Sequence, residues 1–242
     1  MIEFHEKIKQ AHGDKAAAEM NFLEEHPQWF RLHFRPAIEQ PDFPSVLAFY
    51  VAAHMNAALA RASTLVGGFI SAINERNVLV AILIGRAHSE TVGSLATVYL
   101  ELKRLQARPN DFKQATAALL HLMCGTKLKV HDGLPVMEPL NVMKLIDDAE
   151  RAARDVGLGE LGLREMYEHR CEYTHPNCAG LNLGLESREA FSGKYEYPLV
   201  SAELELAEIK GMFASDALAR RLVEGVEAWI VSDGAKYPSY LS

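Results

Sequence analysis

Cysteine is scarce in this chain, with three among 242 residues, an odd and sparse set. A disulfide framework is therefore not expected, and a reducing cytoplasm is the expected setting. Uninterrupted apolar stretches are short. The longest are residues 44–60, broken by His54 and Asn56, and residues 78–85, against about 20 residues for a membrane span. The opening Met-Ile-Glu-Phe-His-Glu-Lys carries acids early and holds no apolar run, so neither a secretory signal nor a membrane partner is expected. Positive charge is in deficit as well. A net charge of -7 argues against a general nucleic-acid binder. Also missing are a Gly-x-x-x-x-Gly-Lys loop, a Gly-x-Ser-x-Gly elbow and a His-Glu-x-x-His pair, the usual marks of nucleotide hydrolysis and of hydrolase chemistry.

The remaining composition is that of an ordinary globular protein. Hydrophobic residues make up 49% and charged residues 24%, with a mean hydropathy of -0.06, enough to bury a large core in one or two domains.

Apolar residues recur at helical spacing through most of the chain. Residues 1–28 read as one or two short amphipathic helices, with Phe4, Ile8, Ala16, Met20 and Leu23 on the apolar side. Pro36, Pro41 and Pro44 punctuate a loop that ends at Ser45, an N-cap residue. A nearly all-apolar helix then runs from Val46 to about Ile73. The adjacent Gly67 and Gly68 inside it cost roughly 2 kcal/mol, and mark either a close helix approach or a kink. After the polar break at residues 74–77, a second long helix spans Val78 to Arg108. Pro109-Asn110-Asp111 stops it and starts a shorter helix to residue 123. Residues 125–135 read as loop. Asn141 starts a helix to about Val156, Gly157-Leu158-Gly159 ends it, and Glu160 to Thr174 forms the next. A last long helix covers Ser201 to Val231. Around residues 181–199, alternating Leu181, Leu183 and Leu185 and then Tyr195 and Tyr197 suggest a small β-hairpin. The expected architecture is an all-α helical bundle: an N-terminal helical extension over residues 1–43, the bundle over 44–232 and a tail over 233–242.

Candidate chemistry concentrates at residues 166–180, Met-Tyr-Glu-His-Arg-Cys-Glu-Tyr-Thr-His-Pro-Asn-Cys-Ala-Gly. Pro176 disfavours helical geometry at His175, so the helix should stop at about Thr174. His175 then sits beside the last carbonyls, where the helix dipole favours a cation, and Arg170 one turn earlier can direct its guanidinium fork toward the same space. Such a pair suits a phosphate clamp or an acid–base pair. The spacing alone carries little weight. With 10 histidines in the chain, about two Arg/His pairs at such spacing are expected by chance. Two occur, Arg170 with His175 and Arg164 with His169.

Context adds more. Cys171-Glu172-Tyr173-Thr174-His175-Pro176-Asn177, with Gly180 following, resembles the C-terminal signature of helical bacterial families grouped with or near the HEPN superfamily. Arg86-Ala87-His88-Ser89-Glu90 resembles their recurrent Arg-x3-Glu element, and the helix at 141–156 leading into Tyr167 has the expected order. The resemblance spans roughly residues 44–185. It implies a bundle of four or five helices, usually a homodimer, and a relation to metal-independent ribonucleases of toxin or phage-defence systems, with RNA and an antitoxin-like protein as partners. Carried over, Arg170 would stabilise the phosphorane and His175 would move the proton, supported by Arg86, Glu90, Tyr167 and Tyr173, with no metal and no cofactor. Active members carry Asn, Asp or His directly after the Arg, whereas this chain carries Cys171. That departure favours the competing expectation, a non-enzymatic module for dimerisation or partner binding.

Other constellations are read against plainer alternatives. Arg86 and Glu90, four apart on one helix face, form either a buried ion pair that fixes packing or part of a pocket around His175. His121-x2-Cys124 and His175-x2-Cys178, with His131 and Cys171, supply zinc-type ligands, but only three cysteines are present and no metal site is expected. The run Gly157-x-Gly159-x-x-Gly162 follows a helix rather than a strand, so it reads as a helix stop and restart. From Leu102 to His131, six bases stand against one acid. Lys103, Arg104, Arg108, Lys127 and Lys129 would be the nucleic-acid-binding set there, or else a solvated helix face and loop.

Overall fold

A computed structural model describes residues 2–125, 138–175 and 201–237, apart from the side chain of Cys124. These residues are 83% helical and include no strand, so the architecture is an all-α helical bundle. The hairpin expected at 181–199 lies outside the described residues, as do Lys127, Lys129, His131 and Cys178.

The helices are α1 (Glu6–Glu24), α2 (His26–His33), α3 (Val46–Asn74), α4 (Val78–Ala107), α5 (Phe112–Cys124), α6 (Val142–Asp155), α7 (Leu163–Thr174) and α8 (Ala202–Ser232). Local chemistry explains several of their ends. The Ser45 hydroxyl accepts from the Ala48 amide at 3.1 Å before α3, and the Asn141 side chain accepts from the Met143 amide at 2.9 Å before α6, each satisfying one orphan donor of a first turn. Gly157, Gly159 and Gly162 have φ of 80°, 76° and 65°. Their left-handed backbone ends α6 and delays α7 to Leu163, three residues later than the periodicity predicts. At the far end of α7, His175 is extended (φ -92°, ψ 147°), as a residue before proline must be. The N-terminal region also differs from expectation: its second helix continues to His33, and α1 is interrupted at Ala16 (φ -150°, ψ 22°).

Contacts divide the chain into two units. The first comprises Met1–Phe30, Ala62–Ser89 and Gly162–Asp216; the second comprises Arg31–Arg61, Glu90–Leu161 and Ala217–Ser242. Helices α3, α4 and α8 each give one part to either unit. The core of the first unit gathers Phe4, Ile8, Leu23, Phe69, Ile73, Ile209 and Met212, all buried. In the second unit Leu47, Val51, Val98, Leu105, Ile146, Leu222 and Val226 are buried. Each such side chain contributes about 1.5–3 kcal/mol on burial. Of the two alternatives for Gly67 and Gly68, close approach is what occurs: α3 continues through both, and Ile2 and Ile84 pack against them.

Helix α4 meets, by length and composition, the requirements of a membrane-crossing segment, with a mean hydropathy of 1.2 over its most apolar stretch. Counting uninterrupted apolar runs overlooked it because Arg86 and Glu90 fall within the helix. Of that stretch, 56% is buried inside the fold, as it is in a core helix.

Candidate functional site

The polar centre of the first unit is built by two arginines that link α4 and α7 in opposite directions. Arg170, on α7, is fully buried. Its Nε donates to Glu208 Oε2 on α8 at 2.9 Å, and its Nη1 donates at 2.9 Å to both the Gly85 carbonyl and the Ser89 hydroxyl on α4. Ser89 passes the bond on, donating to the Gly85 carbonyl at 3.0 Å. Nη2 lies 2.9 Å from Glu208 Oε2, close enough for an ion pair but misaligned for a hydrogen bond. Two glycines make room for the guanidinium. A Cβ at Gly85 would stand 2.8 Å from Arg170 Cζ, and one at Gly211 would stand 2.8 Å from Nη2, closer than any side chain tolerates.

Arg86 runs the other way. From α4 its Nη1 donates to Thr174 Oγ1 at 3.0 Å and its Nε reaches the Tyr167 hydroxyl at 3.3 Å. Its guanidinium carbon also lies 5.5 Å from the Tyr167 ring centre. Tyr167, Arg170 and Thr174 recur at i, i+3 and i+7, one stripe of α7 turned toward α4.

His175 does not share that stripe. Five residues after Arg170 it is rotated by about 140° in a regular helix, and the chain has already turned extended there. His175 is exposed while Arg170 is buried, and the two share no partner among the described residues. Spacing in sequence thus does not give convergence in space. Of the supporting residues, Tyr167 is buried and bonded to Arg86, whereas Tyr173 is half-buried and packs edge-on against His169, with ring centres 4.7 Å apart. Glu90 belongs to the second unit, where it lines a cavity with Arg61 and His54.

The basic segment is partly neutralised where it is described. Lys103 lies 3.7 Å from Asp155, and Arg104 pairs with Glu101 at 2.6 Å and Asp111 at 3.8 Å. Arg108 is exposed. No group of three or more metal-binding side chains occurs among the described residues.

Sequence reasoning missed the acids that meet these bases. Glu205, Glu208, Ser215 and Asp216 are all buried on α8, on the stripe that also carries Ile209 and Met212. The buried His12 approaches Glu205 at 2.9 Å, and Arg76, in the left-handed turn after α3 (φ 54°), grips the same carboxylate with two bonds of 3.0 Å. His26 lies 3.1 Å from an Asp216 oxygen, and His88 lies 2.9 Å from the Ser215 hydroxyl. Burial holds the His88 imidazole down to about 4, against partial opposition from the Asp216 carboxylate. Ser215, His88 and Asp216 name the members of a hydrolytic triad, yet all three are closed to solvent and the arrangement cannot receive a substrate. The available signal was the placing of carboxylates at apolar positions of the α8 period, since carboxylates are almost never fully buried unless paired.

Comparison of the chain with protein-family models, with curated proteins and with solved structures gave no match.

Proposed function

We propose that this chain is a non-enzymatic interaction module, a HEPN-like bundle over residues 44–232 that works in the cytoplasm as a homodimer or bound to a partner protein. The observation that carries this reading is the burial of Arg170. A guanidinium fully removed from water and held by Glu208, Gly85 and Ser89 is closed to a phosphate arriving from solvent. Cys171, where active relatives of the resembled type carry a polar residue, points the same way. The partner surface is supported by Leu79, Val80 and Leu83 on the first turns of α4, which are 40%, 38% and 45% exposed and so form an apolar patch where water would otherwise be preferred.

A second reading, a metal-independent RNA-cleaving or RNA-binding effector of toxin–antitoxin type, is favoured by one observation. Arg86 is bonded to Thr174, the residue next to the exposed His175. In that reading Arg86, not Arg170, supplies the guanidinium beside the histidine. The test incubates purified protein with mixed RNA, with and without EDTA, beside an Arg86→Ala/His175→Ala variant. Intact RNA in every arm is the expected result. EDTA-resistant cleavage that disappears in the variant overturns the non-enzymatic reading in favour of the second.

A further inference from the structure

The second unit holds a cavity of about 360 Å³ between α3, α4 and the end of α5, within the usual size range of small-ligand sites. Its walls are of two kinds. Ala57 and Ala58 on α3 and Leu122 and Met123 on α5 make an apolar side, with Met123 39% exposed. Arg61, Glu90, Thr91 and His54 make a polar side.

Arg61 distinguishes this cavity from a gap between helices. Its Nε donates to Thr91 Oγ1 at 3.0 Å, which fixes the plane of the guanidinium. Its two terminal nitrogens make no hydrogen bond or ion pair among the described residues. A guanidinium anchored at Nε and open at both Nη groups presents two parallel N–H donors, which match the two oxygens of a carboxylate. The facing charges limit what fits. Glu90, itself engaged elsewhere, places one negative charge on the same wall, so the lining is already neutral with Arg61 and a singly charged anion meets less repulsion there than a doubly charged phosphate. His54 lies two turns before Arg61 on α3, about 10 Å along the axis. Burial lowers its imidazole to about 4, so it is neutral at pH 7 and adds no competing cation. Its Nε2 is buried with no hydrogen-bond partner among the described residues.

The geometry points to a binding site for a small amphipathic monocarboxylate, with its carboxylate on the Arg61 fork and its apolar body along Ala57, Leu122 and Met123. The site is independent of the dimer and RNA readings, since Arg61, Ala57, Leu122 and Met123, which would touch the ligand, enter neither.

The experiment is isothermal titration of the full chain with octanoate, acetate and octylamine, repeated on Arg61→Gln and Ala57→Phe after circular dichroism shows native helicity. Octanoate binding is expected, weakened about tenfold or more in Arg61→Gln. A similar loss is expected in Ala57→Phe, where the added phenyl ring fills the cavity. Acetate lacks the apolar body and octylamine the anion, so neither should bind at the same concentration. The proposal is overturned if octanoate gives no heat up to about 10 mM, if Arg61→Gln binds it as well as the parent, or if octylamine binds equally. Should Arg61→Gln lose helicity, Ala57→Phe and the octylamine arm still decide the question.

Discussion

Arg170 in the first unit and Arg61 in the second are the same residue type put to opposite uses. Arg170 is sealed from water, and its Nε and Nη1 donors go to Glu208, Gly85 and Ser89. Arg61 is exposed, bonded once through Nε to Thr91, with its fork open to a cavity. The difference lies in their surroundings. A buried charge must be matched on nearly every side or it costs several kcal/mol, so the fold that hides an arginine also consumes its chemistry. An arginine at a cavity rim keeps its solvation and remains free to bind. The arginine singled out by its neighbours in sequence is thus the buried one, and the arginine outside every motif is the one with an open fork.

The sharpest way to break this comparison is to remove each guanidinium. Arg170→Ala leaves the Glu208 carboxylate buried without its partner, and urea denaturation should show a loss of about 3–5 kcal/mol. Replacing both partners together, Arg170→Met with Glu208→Met, should recover much of it, because an apolar pair of similar volume leaves no orphaned charge. A loss below about 1 kcal/mol in the single variant would mean that the pair behaves like a surface contact and that Arg170 is not structural.

Acid tests the same contrast through the histidines. His88 in the first unit and His54 in the second are both held down to about 4, from an ordinary 6.5. The unfolded chain therefore takes up protons that the folded chain refuses, and stability falls as pH drops from about 6.5 to about 4, while it is fully present above that window. For His88 the loss is about 3 kcal/mol across the window. Thermal melts between pH 7 and pH 4 should show this slope, and His88→Gln should flatten it. An unchanged slope in that variant would shift the cause to other groups.

The smallest effect is expected at the rim. Arg61→Gln should change folding stability by only about 0.5 kcal/mol, in the same urea experiment that registers Arg170→Ala. A loss as large as that of Arg170→Ala would erase the distinction between the two residues.

Much of the secondary structure was legible because its causes are local. Ser45 and Asn141 cap helices through a bond to a residue two or three positions away, Pro176 acts on the backbone of His175 directly, and three glycines accept the left-handed turns between α6 and α7. The candidate site was legible only in part. Arg86, Tyr167 and Arg170 do meet around α4 and α7, but Glu208 lies 38 residues and Gly85 lies 85 residues from Arg170, and no local rule links positions so far apart. Within the chain Arg170 and His175 point apart for a geometric reason, since residues five apart on a helix do not share a face.

What the amino-acid sequence determined by itself is the all-α character, several helix ends, the apolar stripes that form the core and the absence of the common catalytic motifs. These follow from backbone preferences and from a period of 3.6 residues, which act over a few positions. Tertiary structure alone decided which charges are spent and which are free. Burial and partnership arise only when distant segments pack, and there Glu208 meets Arg170 while the fork of Arg61 is left open.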